Sequence, residues 1–177
     1  MMVVGHRGAA GLVPENTIPS WERAIALGCD FIECDVRVTR DGELVIMHDA
    51  KIDRTTSGTG AVAELTLVEI RAVDAGNGER VPTLSEFLDL VERHRVQALV
   101  EMKAEEAIAP SVAEVGRRKL WPWVFITSGK ADWVAQVKGL DSQGRTGVAY
   151  SNPSLDDLKR AADIGAAGVG IQFPHLT

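Results

Sequence analysis

The segment Phe31-Ile32-Glu33-Cys34-Asp35-Val36 has the alternating pattern of a β-strand. Side chains alternate across a strand, so Glu33 and Asp35 share one face and the apolar side chains occupy the other. Two neighbouring carboxylates repel each other, and a divalent cation between them would remove that repulsion. For an isolated pair, a half-exposed strand with a solvated acidic face is the simpler interpretation, so the flanking sequence has to decide.

The residues after this strand predict a β-hairpin. Asp41-Gly42, between β-prone segments, favours a two-residue type I′ turn. Such a turn pairs Arg40 with Glu43, Val38 with Val45 and Asp35 with His48. Residues that lie directly opposite share a face, with Cβ atoms about 4.5–5.5 Å apart. His48 is therefore expected beside the acidic pair as a proton donor or acceptor, unless it forms an ordinary surface pair with Asp35.

A third segment repeats the arrangement. In Ala98-Leu99-Val100-Glu101-Met102-Lys103, the alternation places Glu101 and Lys103 on one face. Strands of a parallel sheet are normally buried on both faces and therefore apolar. Charges that interrupt such strands are expected to line a barrel mouth or a cleft. A salt bridge between Glu101 and Lys103 at a strand end is the alternative.

Composition limits the classes of function. The chain has 177 residues, is 45% hydrophobic and 25% charged, and carries a net charge of −6, which is typical of a globular domain and argues against a nucleic-acid partner. No apolar run approaches the roughly 18 residues of a membrane span, and no signal-peptide pattern begins the chain. Cys29 and Cys34 are too few for a disulfide framework, and Cys34 is expected in the core. These features predict a cytoplasmic protein.

Strand and helix signals alternate along the chain, which is typical of a parallel α/β sheet. Strands are predicted at 2–5, 31–48 (including the hairpin), 98–102, 124–127, 146–150 and 168–173. Helices are predicted near 18–27, after Thr66 and Thr83, and near 105–120, 131–138 and 155–165. Thr66 and Thr83 begin capping boxes, Thr17 is a candidate cap, and Pro110 is a weak point within its helix.

Six strands with helices between them fit either a doubly wound sheet or a (β/α) barrel. His6, the Glu33/Asp35 pair and Glu101 fall at or just after the carboxyl ends of successive strands, where the active sites of barrels are assembled. Gly5, Gly8 and Gly11 lack the dinucleotide-binding spacing, and more plausibly let the chain leave the first strand tightly. We therefore predict a TIM-type barrel with about six of its eight strands.

Eight short motifs together resemble the glycerophosphodiester phosphodiesterase family, strongly from residue 4 to 103. They are Gly5-His6-Arg7-Gly8, Pro14-Glu15-Asn16-Thr17, Glu33-x-Asp35-Val36, Thr39-Arg40-Asp41-Gly42, His48-Asp49, Arg54-Thr55-Thr56-x-Gly58-x-Gly60, Pro82-Thr83-Leu84 and Glu101-x-Lys103. The resemblance implies a phospholipase C-like (β/α) barrel. It also implies one domain, 1–177, with a small insertion at about 50–78 that covers the barrel mouth.

The resemblance further implies the roles of individual residues. Glu33, Asp35 and Glu101 are expected to bind a divalent cation, and their oxygen ligands suit Ca²⁺ or Mg²⁺. His6 and His48 are expected to act as the acid/base pair. Arg7 and Lys103 are expected to contact the phosphate of the substrate.

The implied activity is metal-dependent hydrolysis of glycerophosphodiesters to glycerol 3-phosphate and an alcohol, within lipid and glycerol metabolism. Lysophospholipase D-like activity and a non-catalytic, phosphodiester-binding remnant or fragment are the alternatives. Six strands do not close an eight-stranded barrel, so the last two βα units are expected to be absent. The open edges then predict weak stability and self-association.

Overall fold

The computed structural model describes residues 2–171 as one sheet flanked by helices. The strands are β1 Val4–Gly5, β2 Phe31–Val38, β3 Leu44–Ile46, β4 Gln97–Met102, β5 Val124–Ser128, β6 Thr146–Tyr150 and β7 Gly168–Ile171. The helices are α1 Ile18–Ala26, α2 Leu67–Arg71, α3 Leu84–His94, α4 Ile108–Arg117, α5 Ala131–Leu140 and α6 Leu155–Asp163, with 3₁₀ turns at Val62–Glu64 and Glu105–Ala107. None of the helices in 2–171 is long and apolar enough to cross a bilayer.

The order of the strands identifies the architecture. Six strands are parallel and lie in the order β1-β2-β4-β5-β6-β7, while β3 pairs with β2 in the antiparallel sense. Each new parallel strand joins the edge formed by the previous one, as in a (β/α) barrel, whereas the order reverses in a doubly wound sheet. The predicted partial barrel is confirmed. The last two residues of the predicted strand 168–173 lie outside the described part of the chain.

The local signals for helix starts were largely accurate. Thr66 and Thr83 form the predicted capping boxes, and Ser154 forms another with Asp157. Helix α1 begins at Ile18 with a proline in its first turn. Thr17 is the N-cap residue of α1, as predicted, but its side chain makes no capping hydrogen bond, because the hydroxyl donates instead to the Pro14 carbonyl, at 2.7 Å.

Pro110 does not weaken the interior of a helix, contrary to the prediction. The predicted helix 105–120 is divided into the 3₁₀ turn Glu105–Ala107 and α4, which begins at Ile108. Pro110 therefore lies in the first turn of α4. Backbone N–H groups there have no partner within the helix, so a proline removes no hydrogen bond.

The main core lies between the sheet and the helices. It includes the apolar face of β2, formed by Ile32, Cys34 and Val36, all fully buried. Trp21 of α1 and Phe87 of α3 pack edge to face there, with ring centroids 4.8 Å apart. Cys34 is a core residue, as predicted. Because side chains alternate along β2, burial of this face directs Glu33 and Asp35 to the opposite, inner face.

A second apolar cluster joins the predicted insertion, 50–78, to the hairpin. Its buried members are Val45, Met47, Ile52, Val62, Ile70, Ala75 and Val81. Val45 and Met47 belong to the hairpin and its exit, and four of the others lie within the predicted insertion. Hydrophobic burial therefore fixes this segment against β3, next to the end of the hairpin that carries His48.

The predicted register of the hairpin is wrong by one residue. Val36 pairs with Ile46, Arg37 with Val45 and Val38 with Leu44, and the Met47 amide donates to the carbonyl oxygen of Asp35 at 2.8 Å. The turn has three loop residues, 40–42, instead of two. Gly42 adopts a left-handed φ of 85°, as in a type I turn followed by a bulge. Asp35 therefore lies opposite Met47, and the predicted Asp35–His48 pair does not form.

The edges of the sheet lead to a prediction about the 177-residue chain. Within residues 2–171, β1 pairs with β2 alone and β7 with β6 alone. Val4 on β1 and Val169 on β7 are exposed apolar residues. Unpaired apolar edges are templates for strand pairing. We expect concentration-dependent association at about 10–100 µM, which sedimentation velocity would detect. A single monomeric species across that range would contradict this prediction.

Candidate functional site

Three carboxylates meet on the inner face of the sheet. Glu33 and Asp35 come from β2 and Glu101 from β4, and the parallel register places Asp35 directly beside Glu101. One carboxylate oxygen from each residue lies within 4.8 Å of the other two. The structure therefore brings together the three acidic residues predicted from the sequence, which we call the acidic trio.

Glu33 is almost fully buried, and only one of its two carboxylate oxygens accepts a hydrogen bond. The Arg7 backbone N–H donates to its Oε2 at 2.7 Å, whereas its Oε1 has no hydrogen-bond partner among the described residues. Burial, followed by the nearby charge of Asp35, raises the pKa of Glu33 to about 8. The protein thus holds a carboxylate where ionisation is costly unless a positive charge compensates it.

Asp35 is fully buried and is surrounded by donors and cations. The Asn16 side-chain amide donates to its Oδ2 at 2.8 Å, and Arg7 Nε lies 3.4 Å from the same oxygen. Lys103 Nζ lies 3.2 Å from Asp35 Oδ1 and 2.6 Å from Glu101 Oε1. The predicted phosphate contacts, Arg7 and Lys103, therefore lie directly beside the acidic trio.

The chemistry of the acidic trio fits a hard divalent cation. All its candidate ligand atoms are carboxylate oxygens, the type that Ca²⁺ and Mg²⁺ prefer. Glu33 Oε1 is buried and accepts no hydrogen bond in the described part of the chain, and buried Asp35 Oδ1 is contacted only by the Lys103 ammonium, 3.2 Å away. A buried acceptor without a donor is costly, and a bound cation would satisfy both oxygens.

Arg7 and Asn16, in the loop between β1 and α1, adopt strained backbone conformations around this site. Arg7 and Asn16 have positive φ angles of 53° and 56°, and the Asn16 amide donates to the Arg7 carbonyl at 3.0 Å. Both residues donate to the acidic trio, as strained residues often do at functional sites. The sequence reasoning did not identify Asn16 as a site residue, although it belongs to the quoted Pro14-Glu15-Asn16-Thr17 motif.

The end of β1 and the loop that follows it pack closely against α1, at Gly5 and Gly8. The sequence had suggested that these glycines let the chain leave β1 tightly. A Cβ added at Gly5 would lie 2.7 Å from the Ala24 side chain, and one at Gly8 would lie 2.4 Å from the Ser20 hydroxyl. Gly8 also has a φ of 82°. These glycines let the loop pack directly against α1 as it leaves β1, which positions the Arg7 amide over Glu33.

A cavity of about 540 Å³ adjoins the acidic trio. His6, Glu33 and Glu101 line it together with apolar side chains from three strands, Phe31, Leu99 and Phe125. Burial, and secondly the charge of Arg7, lower the pKa of His6 below its ordinary value. One end of the cavity is therefore charged and polar, and its wall is apolar.

His48 lies outside this cavity, at the exit of the hairpin. Its Nδ1 is 2.7 Å from Asp49 Oδ1, and Asp49 Oδ2 accepts from Arg54 Nε at 2.6 Å. Arg54 also donates to both carboxylate oxygens of Glu15, at 2.9 and 2.7 Å, and Glu15 accepts from Arg7 at 3.1 Å. A continuous series of hydrogen bonds and ion pairs thus connects His48 to the acidic trio. That His48 faces His6 across a bound phosphate stays a prediction.

The raised pKa of Glu33 predicts how the stability of the metal-free chain depends on pH. Its pKa of about 8 exceeds the ordinary value of 4.5, so the native state retains a proton that the unfolded chain releases. The contribution of Glu33 to the free energy of unfolding is therefore full below pH 4.5 and is lost as pH rises towards 8. Glu33→Gln mimics the protonated form and should remove this dependence.

Urea unfolding in chelator, at about pH 5 and about pH 8.5, would measure this contribution. The expected result is that Glu33→Gln gains stability relative to the unmodified chain as pH rises. The exposed Glu22→Gln is the matched control, and its difference from the unmodified chain should stay constant. A constant difference for Glu33→Gln as well would show that Glu33 titrates normally.

Comparisons with known proteins agree with this geometry. The sequence pattern described as the "Glycerophosphoryl diester phosphodiesterase family" matches residues 6–126. A glycerophosphodiester phosphodiesterase of Caldanaerobacter subterraneus subsp. tengcongensis is 43% identical over 120 residues, covering 64% of this chain and 49% of that protein. One from Bacillus subtilis is 45% identical over 109 residues, covering 53% and 37%. The chain thus spans about half or less of the length of these relatives.

Solved structures match almost the whole chain. An Oleispira antarctica phosphodiesterase, in complex with the product sn-glycerol-3-phosphate, superimposes with a TM-score of 0.88 at 29% identity. It covers 97% of this chain, which corresponds to 74% of the other protein. A glycerophosphodiester phosphodiesterase from Agrobacterium tumefaciens gives a TM-score of 0.84 at 30% identity, covering 97% and 76%.

Proposed function

Because this chain belongs to the glycerophosphoryl diester phosphodiesterase family, we propose that its site hydrolyses glycerophosphodiesters to glycerol 3-phosphate and an alcohol. The observation that carries the proposal is the acidic trio, in which the buried Glu33 Oε1 has no partner among the described residues, beside the cations Arg7 and Lys103. The O. antarctica phosphodiesterase was solved with sn-glycerol-3-phosphate, the product that this reaction would release.

In this proposal Glu33, Asp35 and Glu101 hold a divalent cation, Ca²⁺ or Mg²⁺. When bound, such an ion polarises a phosphoryl oxygen and lowers the pKa of a coordinated water or hydroxyl. The protein supplies the conditions for this binding. Asn16 and Arg7 fix the orientation of the Asp35 carboxylate through Oδ2, and the Arg7 amide fixes Glu33 through Oε2, so the remaining oxygens are preoriented.

His6 and His48 are proposed as the proton-transfer pair. One would take the proton of the attacking hydroxyl, and the other would give a proton to the departing alkoxide. His6 lines the cavity beside Glu33 and Glu101. Hydrogen bonding of His48 Nδ1 to Asp49 would fix its tautomer and orient Nε2 away from Asp49. Arg54 holds Asp49 in turn, so the insertion supports the imidazole.

Arg7 and Lys103 are proposed to bind the phosphate. Their side chains are mostly buried and lie within 3.4 Å of the acidic trio. Fixed positive charge at this point would offset the charge that develops on the phosphoryl oxygens during hydrolysis. The cytoplasmic location expected from the sequence stays a prediction, as does the single-domain organisation of residues 1–177.

The direct test is turnover of sn-glycero-3-phosphocholine by the 177-residue chain in the presence of Ca²⁺ or Mg²⁺. The expected products are glycerol 3-phosphate and choline, identified by mass spectrometry, with no reaction in EDTA. Release of phosphocholine would contradict the proposed bond cleavage. Binding of the substrate without any turnover would favour the alternative of a non-catalytic phosphodiester-binding protein.

Lysophospholipase D-like hydrolysis of a longer lipid stays the alternative enzymatic function. Turnover of lysophosphatidylcholine below its micellar concentration, compared with that of glycerophosphocholine, separates the candidates. A higher kcat/KM for the lysolipid would favour the alternative.

A further inference from the structure

We propose that Arg37 is a positioning residue, which holds the backbone of His48 and Lys103 in register at the site. This inference rests on the proposed function of that site, since it concerns one residue of the proton-transfer pair and one proposed phosphate contact. Arg37 follows Glu33 and Asp35 on the same face of β2, so the strand directs all three side chains to the inner face.

The contacts of Arg37 converge on two backbone carbonyls. Its Nε and Nη2 donate to the His48 carbonyl oxygen at 3.1 and 2.8 Å, and its Nη1 lies 3.3 Å from the Lys103 carbonyl oxygen. His48 is two residues beyond β3 and Lys103 is one residue beyond β4. The Arg37 guanidinium therefore connects the chain just after β3 with the chain just after β4. These two strands flank β2 on opposite sides.

A guanidinium is suited to this task because its donors form a rigid planar fork. Two of them grip one carbonyl while a third reaches another, an arrangement that the single ammonium of lysine cannot reproduce. The side chain of Arg37 is half-buried, and its hydrogen bonds are therefore shielded from competition by water. Charge-assisted hydrogen bonds of this kind are stronger than neutral ones.

Arg37 matters for chemistry because, among the described residues, it restrains the backbone of His48 itself. The buried Met47 and Ile52 side chains, in contrast, anchor the chain on either side of His48. The Met47 amide donates to the Asp35 carbonyl, and β3 ends at Ile46. Beyond this point the Asp49 side chain contacts an exposed arginine, Arg54, through ion pairs that water can screen. The two hydrogen bonds from the half-buried Arg37 guanidinium thus restrain the backbone of His48. The position of the His48 imidazole in turn determines the rate of proton transfer.

The test compares Arg37→Met and Arg37→Lys with Arg23→Met, a control at an exposed arginine on α1. Two readouts are taken with Ca²⁺ present. The first is steady-state kinetics with glycerophosphocholine, and the second is hydrogen–deuterium exchange of the peptides that span 47–53 and 102–106. Arg37→Met should lower kcat by about 10–100-fold, the range for lost outer partners of a site, with KM changed by less than about threefold. Arg37→Lys should recover only part of the loss, and exchange should rise in both peptides.

The outcomes separate this inference from the proposed function. Unchanged kcat and unchanged exchange in Arg37→Met would overturn the positioning role. Faster exchange over the whole chain would also overturn it, because Arg37 would then act as a general stabilising residue. If the unmodified chain shows no turnover, the proposed function fails, and exchange alone decides: an increase confined to the peptides that contain His48 and Lys103 supports positioning, and no increase overturns it.

Discussion

Replacing His6 or His48 by alanine is expected to lower kcat for glycerophosphocholine by about 10²–10⁴-fold, the usual range for loss of general acid–base catalysis. His6 lines the cavity beside Glu33 and Glu101, and the ring of His48 is held by Asp49. Neither histidine side chain contributes much buried apolar surface, so both variants should fold. Steady-state kinetics over a range of pH would measure the loss and identify which limb of the profile each histidine controls.

His94→Ala is the matched control for this experiment. His94 is exposed in the last turn of α3, and its replacement should leave kcat within about twofold, as for most surface substitutions. Binding of a non-hydrolysable phosphonate analogue should change far less than kcat in the two site variants. Full activity in both His6→Ala and His48→Ala would remove the histidines from the mechanism.

Replacing Asp35 by asparagine is expected to reduce the affinity for the divalent cation by more than about 10²-fold. Loss of an outer partner of a metal ligand already costs about 10–100-fold, and Asp35 is a proposed ligand itself. Asp35 is fully buried between Asn16, Arg7 and Lys103. The change removes a negative charge while preserving shape, so turnover should fall in parallel with metal binding.

Asp163→Asn, at an exposed position at the end of α6, is the matched control and should bind the metal normally. Circular dichroism would show whether Asp35→Asn is folded, because Arg7 and Lys103 lose a buried partner in that variant. A folded Asp35→Asn chain with unchanged metal affinity and unchanged turnover would contradict the role of Asp35 as a ligand.

Local signals predicted most elements of the fold. The capping boxes of Thr66 and Thr83 depend on residues three apart, and β6 was predicted with its observed bounds. Strand alternation placed Glu33, Asp35 and Glu101 on one face, and carboxyl ends of neighbouring parallel strands meet at one edge of the sheet. The acidic trio was therefore accessible to sequence reasoning without coordinates.

The hairpin shows where local reasoning failed. Asp41-Gly42 suits a two-residue turn, but the Thr39 hydroxyl donates to Asp41 Oδ1 and accepts from the Glu43 amide, which stabilises a longer loop. The additional loop residue shifts the register and places Met47, instead of His48, opposite Asp35. A side chain competing for backbone groups is hard to weigh from sequence, because both turns contain the same Asp-Gly pair.

Asn16 and Arg37 were missed as site residues for a different reason. The contact of Asn16 with Asp35 depends on a left-handed backbone in the first loop. Asparagine adopts this conformation more readily than most residues, but that propensity does not reveal which group its side chain will contact. Arg37 had a visible signal, because it continues the inner-face alternation of Glu33 and Asp35. Its partners are the carbonyls of residues 48 and 103, and the sequence does not reveal which carbonyls a guanidinium will reach.

The most direct test of the central claim, that the acidic trio holds a divalent cation, is calorimetric titration of Ca²⁺ into the metal-free 177-residue chain and its Glu101→Gln variant. Glu101 is less buried than Asp35, so its replacement is the gentler way to remove one ligand. We predict one ion bound per unmodified chain, and an affinity lower by at least about tenfold in the variant. A folded chain that binds no ion, or a variant that binds equally well, would contradict the claim.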